Sequence, residues 1–265
     1  MRVARVAAES KRGKRAMQLQ LSTWAEVEDH LKKSTGIIVP IGSTEQHGPN
    51  GLIGTDALCA EVVAKGIGEA ADALVAPTIA VGMAQHHMAF PGSMTLRPST
   101  LIALVRDTVQ SLARHGFERI YFLNGHGGNI ATMSAAFSEV YADKSLAANG
   151  RNAPGVRLKL QNWYEAPGVK KLSKELYGAS EGSHATPSEV ALTQFAFPEA
   201  IKKAKMSPEI APRGPIRDAL DYRSRFPDGR IGSDPSLATP KAGKRLYAAA
   251  VQDLTKDYLR FLDAE

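Results

Sequence analysis

The chain has 265 residues, with 33 lysines and arginines against 27 aspartates and glutamates, giving a net charge of +6. That length holds one large domain or two small ones with a sizeable core, and no apolar run approaches the roughly 20 residues a membrane helix needs. The single cysteine, Cys59, excludes an internal disulfide framework and fits a reducing compartment, so a cytoplasmic location is expected. Much of the excess charge sits in the opening stretch, where Arg2, Arg5, Lys11, Arg12, Lys14 and Arg15 face one acid, Glu9. Residues 1–16 read as a basic tail, or as an upstream start with Met17 as the true one, ahead of a single domain over 17–265. No apolar core of signal-peptide length follows the basic residues. Neither nucleic acid nor membrane is expected as a partner.

The first element in order is a helix over 21–33, capped by Ser22 or Thr23, with Trp24, Val27 and Leu31 at helical spacing. A continuous apolar run over 36–41 suits a buried parallel strand. A polar, Gly-rich turn follows, then a helix over 56–68. A second strand is expected over 73–79, and a helix capped by Ser99 or Thr100 runs through Leu101, Val105 and Leu112. The third strand spans 117–123 and enters Asn124-Gly125-His126-Gly127-Gly128-Asn129 before a helix over about 131–141. A fourth strand spans 156–161. Pro187 and Ser188 open a further helix. From 204 to 244 six prolines break any long element, which predicts a wrapped arm serving as an oligomer contact or a site lid. A last helix covers 241–262. Strands alternating with helices predict an α/β fold with a mostly parallel sheet covered on both faces.

Such sheets place ligand sites beyond the carboxyl ends of their strands. The polar stretches around Glu45 to His47, His86-His87 and His126 all follow predicted strands, so topology brings them to one edge. Glu45, His47, Asp56 and His126 are residue types that could hold two divalent ions, with Asp56 also a plausible helix N-cap and His126 a plausible turn residue. Glu45 and His47 alternate on extended backbone and so share a side. His86 and His87, if also extended, point opposite ways, so at most one faces the site. The glycines around His126 could cradle an anion at a helix start, although the run is neither G-x-G-x-x-G nor a Walker A sequence. Cys59 reads as core. Glu189 lies near the first turn of a helix, where it either favours the dipole or supplies a further metal carboxylate or acid/base group. Glu181 and His184 complete that last polar cluster.

The ordered runs V-P-I-G-S-T-E-Q-H-G-P from Val39, then G-T-D, F-P-G-S and N-G-H-G-G-N, and a late His184 with Glu189 five residues on, resemble the creatininase (creatinine amidohydrolase) family over about 19–262. The resemblance implies a three-layer α/β/α fold, two divalent ions per subunit (Zn or Mn, with Fe possible) and a hexamer. It implies hydrolysis of a C–N amide bond, creatinine-type by default, through a metal-activated hydroxide. A formylamino-pyrimidine nucleotide deformylase or a cofactor-maturation peptidase are the alternatives within the family, and a non-enzymatic metal-binding scaffold lies outside it. It further implies Glu45, Asp56 and His126 on one ion, and His47 with bridging Asp56 on the other. Creatininase has a Glu where this chain has Gly128, so either Glu189 takes that role or the second site is weaker. His184, with Glu181 or Glu189, is expected to move the proton to the leaving nitrogen. Trp163, His87 and Gly127 are expected to line the substrate.

Overall fold

The computed structural model describes residues 16–146 and 155–263. The basic opening stretch therefore lies outside the described residues, apart from a buried Ala16.

A parallel sheet of five strands forms the middle layer, in the order β1-β3-β2-β4-β5. The strands are β1 (Met17–Gln18), β2 (Gly36–Ile41), β3 (Leu74–Val75), β4 (Arg119–Asn124) and β5 (Arg157–Asn162). β2 is buried along its whole length, as its unbroken apolar run requires of a central strand. It pairs with β4 from Gly36 opposite Arg119 to Ile41 opposite Asn124. β3 is shorter than the expected 73–79. Ladder bonds from the β3 side reach the carbonyls of Ile38 and Pro40, so Pro40 turns its missing N–H to that side, and Pro77 removes a second donor. Past Ala76 the two strands keep a single bridge, between Ile41 and Ile79.

The alternation of side chains along β2 and β4 divides the core. Ile37, Val39, Ile41, Ile120 and Phe122 pack against α3 (Pro98–Arg114) and α4 (Ile130–Leu146). Ile38, Tyr121 and Leu123 pack against α2 (Thr55–Ala71), α5 (Pro167–Tyr177), α6 (Pro187–Ala196) and α8 (Pro240–Asp263). The three expected layers follow from this division. Helix α1 (Trp24–Leu31) opens on a capping box between Thr23 and Glu26. Helix α3 begins earlier than expected, at Pro98, and its N-cap Arg97 makes no side-chain cap. Proline at the first position already supplies the helical φ. Helix α5 has no counterpart among the sequence expectations, since only Val169, Ser173 and Tyr177 of its lysine-rich run are buried.

The proline-rich arm contains one short helix, α7 (Ala219–Arg225). Tyr222, Phe226, Ile231 and Phe90 form a third, smaller cluster there. Among the described residues no helix is long and apolar enough to cross a membrane.

Candidate metal centre

β2 ends at Ile41 and releases Ser43 to His47 on a buried loop at the carboxyl edge of the sheet. β4 ends alongside it and delivers His126. The first turn of α2 lies between the two. Its N-cap is Gly54, so Asp56 is not the cap but an acid inside the first turn, where the helix dipole favours it. A Cβ on Gly125 would lie 2.0 Å from the Asp56 carbonyl. Glycine there lets α2 approach the end of β4 and brings Asp56 to His126.

The ring protons of the histidines can be placed by what their nitrogens meet. His47 Nδ1 is 3.0 Å from the Glu45 carbonyl, which only accepts, so Nδ1 carries the proton. Its Nε2 stands 3.1 Å from Asp56 Oδ1 and 3.9 Å from Glu189 Oε2. His126 Nε2 donates to the Met83 carbonyl at 2.9 Å, which turns Nδ1 to Asp56 Oδ2 at 3.0 Å. Both imidazoles thus aim their second nitrogen at the same carboxylate from opposite sides.

Glu45 lies beside them, with its Oε2 accepting from Ser43 Oγ at 2.7 Å and standing 3.2 Å from His126 Nε2. Two carboxylate oxygens, Glu45 Oε1 and Asp56 Oδ2, are buried and take no aligned hydrogen bond. Buried carboxylate oxygens grouped with imidazole nitrogens are a donor set that a divalent cation would satisfy once it displaces the ring protons. The side chains fall into three such sets: Glu45, Asp56 and His126, and His47, Asp56 and Glu189, which share Asp56, and Glu45, His87 and His184.

Electrostatics follow from this crowding. Burial alone presses His47 down, but Asp56 and then Glu189 outweigh it and hold the ring protonated up to about 10. His126 is likewise pressed down by burial and raised by Glu45 and Asp56, to about 9. Asp56 feels the opposite balance. Burial would raise it, yet His47 and His126 hold it well below the ordinary carboxylate range. Burial raises Glu189 to about 7, against the pull of His47.

Glu189 has two occupations. Its Oε1 accepts the Thr186 N–H in a capping box that starts α6, while Oε2 faces His47. Gly128 has no room for a carboxylate. A Cβ there would lie 2.4 Å from His126 Nε2 and 2.7 Å from the Met83 carbonyl.

Other expected residues fall around this cluster. His184 Nε2 donates to the Gln46 carbonyl at 2.8 Å, leaving Nδ1 3.8 Å from Glu45 Oε1. Burial and then His47 hold it neutral. Glu181 is hydrogen-bonded to Ser188, and it makes no ion pair with His184. His86 and His87 sit on a 3-10 turn, not on extended backbone, and both line the cavity over the cluster. His87 is buried with Nε2 3.0 Å from Glu45 Oε1. Trp163 and Gly127 lie on the cavity wall. Cys59 is core, 1% exposed. The cavity has a volume of about 670 Å³ and includes Ile216, Tyr222 and Ile231 of the arm.

Gln46 is absent from the sequence expectations. Gly48 N–H donates to its Oε1 at 2.8 Å, which fixes the amide, and its Nε2 donates to His87 Nδ1 at 3.0 Å and the Gly229 carbonyl at 3.0 Å. The signal was its place between two ligand-type residues, where alternation sends it to the opposite side. Asn124 and Asn129 were also missed. Asn129 donates to the Gly42 carbonyl at 2.9 Å and Asn124 to the His126 carbonyl at 2.6 Å, so the two asparagines lock the glycine-rich turn onto β2.

A sequence profile described as creatinine amidohydrolase matches residues 20–258. The chain belongs to the creatininase family. Among relatives, it is 29% identical over 221 residues to the mycofactocin precursor peptide peptidase of Mycolicibacterium smegmatis (strain ATCC 700084 / mc(2)155), covering 81% of each chain. It is 34% identical over 113 residues to the creatinine amidohydrolase of Pseudomonas putida, covering 40% of this chain and 44% of that one. The manganese form of creatininase superposes with a TM-score of 0.80 at 21% identity, over 94% of this chain and all (100%) of that one. The fold is therefore the creatininase fold, and these creatininase-family relatives are hydrolases.

Proposed function

We propose that this chain is a metal-dependent amidohydrolase that hydrolyses a C–N amide bond at the carboxyl edge of its sheet. The observation that carries the proposal is Asp56, buried between two histidines whose other nitrogens are pinned by backbone carbonyls. In this reading Glu45, Asp56 and His126 hold one divalent ion, and His47, Asp56 and Glu189 hold a second. The mixed nitrogen and oxygen donors suit zinc or manganese, and iron as well. Bound there, the ions would polarise the amide carbonyl and lower the pKa of water. The protein's own part is to hold the donors rigid. The Glu45 and Met83 carbonyls fix the ring orientations of His47 and His126. In the same reading His184, with Nε2 held by the Gln46 carbonyl, takes a proton at Nδ1 and passes it to the leaving nitrogen.

The cavity of about 670 Å³ has room for substrates from a creatinine-sized ring up to a peptide-like amide. A creatinine-type amide is the first reading, with a formylamino-pyrimidine nucleotide or a peptide as the alternative substrates. The deciding experiment joins metal analysis to a hydrolysis screen over creatinine, formylamino-pyrimidines and short peptides. His126→Ala should lose both bound metal and all hydrolysis. Full metal occupancy in that variant would overturn the ligand assignment.

A further inference from the structure

The set of Glu45, His87 and His184 differs from the other two in where one proton sits. Gln46 Oε1 is taken by the Gly48 N–H, so its Nε2 has two protons to place. One goes to the Gly229 carbonyl at 3.0 Å and the other to His87 Nδ1 at 3.0 Å. The remaining neighbours donate protons of their own, His184 Nε2 to the Gln46 carbonyl and Tyr222 Oη to the Gly229 carbonyl. A histidine that accepts at Nδ1 is neutral and carries its proton on Nε2. A cation at His87 would have to take that only ring proton, so His87 is not a metal ligand. Its ring is 1% exposed and packed against His184 and Tyr222, with centroids 4.5 and 4.8 Å apart. Nε2 stands 3.0 Å from Glu45 Oε1, yet that oxygen takes no aligned hydrogen bond. Among the described residues the Nε2 proton has no other acceptor, and the ring lines the cavity.

A fixed donor without an aligned acceptor, buried beside the proposed metal centre, suits a negative charge that exists only during reaction. We infer that His87 is a catalytic residue whose Nε2–H donates to the scissile carbonyl oxygen as that oxygen gains charge. When hydroxide adds to the carbonyl carbon, the C=O electron pair moves onto this oxygen. The ring proton stays on Nε2 throughout, so His87 donates a hydrogen bond and transfers nothing. This role rests on the proposed metal centre, which sets where the oxygen lies. Gln46 acts through His87 by fixing its tautomer, and is itself anchored on the arm at Gly229.

Two measurements test this, one of them without metal. Nitrogen NMR of the histidine rings in metal-free protein, with the His87 signals assigned by their loss in His87→Phe or His87→Gln, should show a neutral ring protonated on Nε2. A proton on Nδ1, or a charged ring, overturns the inference. In zinc-loaded protein, acetohydroxamate supplies the anionic oxygen. His87→Phe should keep the zinc content of the wild type and bind acetohydroxamate about tenfold more weakly, the loss of one hydrogen bond to a charged group. His87→Gln restores an N–H and should recover part of that loss. Zinc lost from His87→Phe would make His87 a support for Glu45 and overturn the inference. A wild type that takes up no zinc overturns the metal centre and this role together, whereas zinc bound with unchanged hydroxamate affinity in His87→Phe overturns this role alone.

Discussion

Glu189 shows how one side chain serves structure and chemistry at once. A capping box needs only one acceptor oxygen, so Oε2 is left to face His47. Glu189→Gln keeps that acceptor and should leave stability within about 0.5 kcal/mol. Bound zinc should fall from two ions per chain to one, as elemental analysis will read; two ions retained would remove Glu189 from the second set. The histidines make a pH prediction. Metal-free, His47 stays protonated to about 10 and His126 to about 9, both above an unfolded histidine near 6.5. Their contribution to stability is therefore full below about pH 6.5 and lost as pH rises towards about 10. Denaturant midpoints of metal-free protein should fall across that window. Zinc must displace those protons, so calorimetry at pH 8 in buffers of different ionisation heat should find up to about two released per chain. Zero release would mean that the rings are not ligands.

At the scale of elements, two capping boxes invite comparison. Thr23 caps the exposed start of α1, and Thr186 caps α6. Replacing either by alanine should cost about 1 kcal/mol. Thr186→Ala should in addition lower zinc affinity, since Thr186 fixes the carboxylate that faces His47, while Thr23→Ala should leave it unchanged. Equal zinc affinity in the two variants would separate Glu189 from the metal centre. The short β3 matters in the same way. Because the Pro40 side of β2 lacks a donor, the chain after Val75 leaves the sheet early and is free to carry Met83, His86 and His87 over the site.

At the scale of the whole molecule, the proline-rich arm completes the cavity, and one buried cation holds it. Arg230 is fully buried and donates to the carbonyls of Pro208, Glu209 and Ser233 as well as to Asp228. The arm reaches the metal loop through Gly229, whose carbonyl accepts from both Gln46 and Tyr222. Arg230→Met should cost about 3 kcal/mol, because several buried carbonyls lose their donor. Urea unfolding measures that loss; a cost under about 1 kcal/mol would mean that water replaces the guanidinium.

Much of this protein is decided by local pattern. The apolar run of β2, the helical spacing of α2, α3 and α8 and the break at 204–244 follow from periodicity and proline, which act within a few residues. Glu45, His47, Asp56 and His126 are legible for a related reason: parallel topology sends the loops after β2 and β4 to one edge whatever the details. Three features needed the tertiary structure. Gly128 cannot be read as a site lacking its carboxylate, because the space a side chain would fill belongs to the His126 ring and the Met83 carbonyl. Gln46 binds His87 and Gly229, which are 41 and 183 residues away along the chain. Glu181, legible as part of the last polar cluster, is seen to pair with Ser188 and not with His184 only in three dimensions. Each of these depends on which distant atoms occupy a few ångströms of shared space, and no spacing along a chain carries that information.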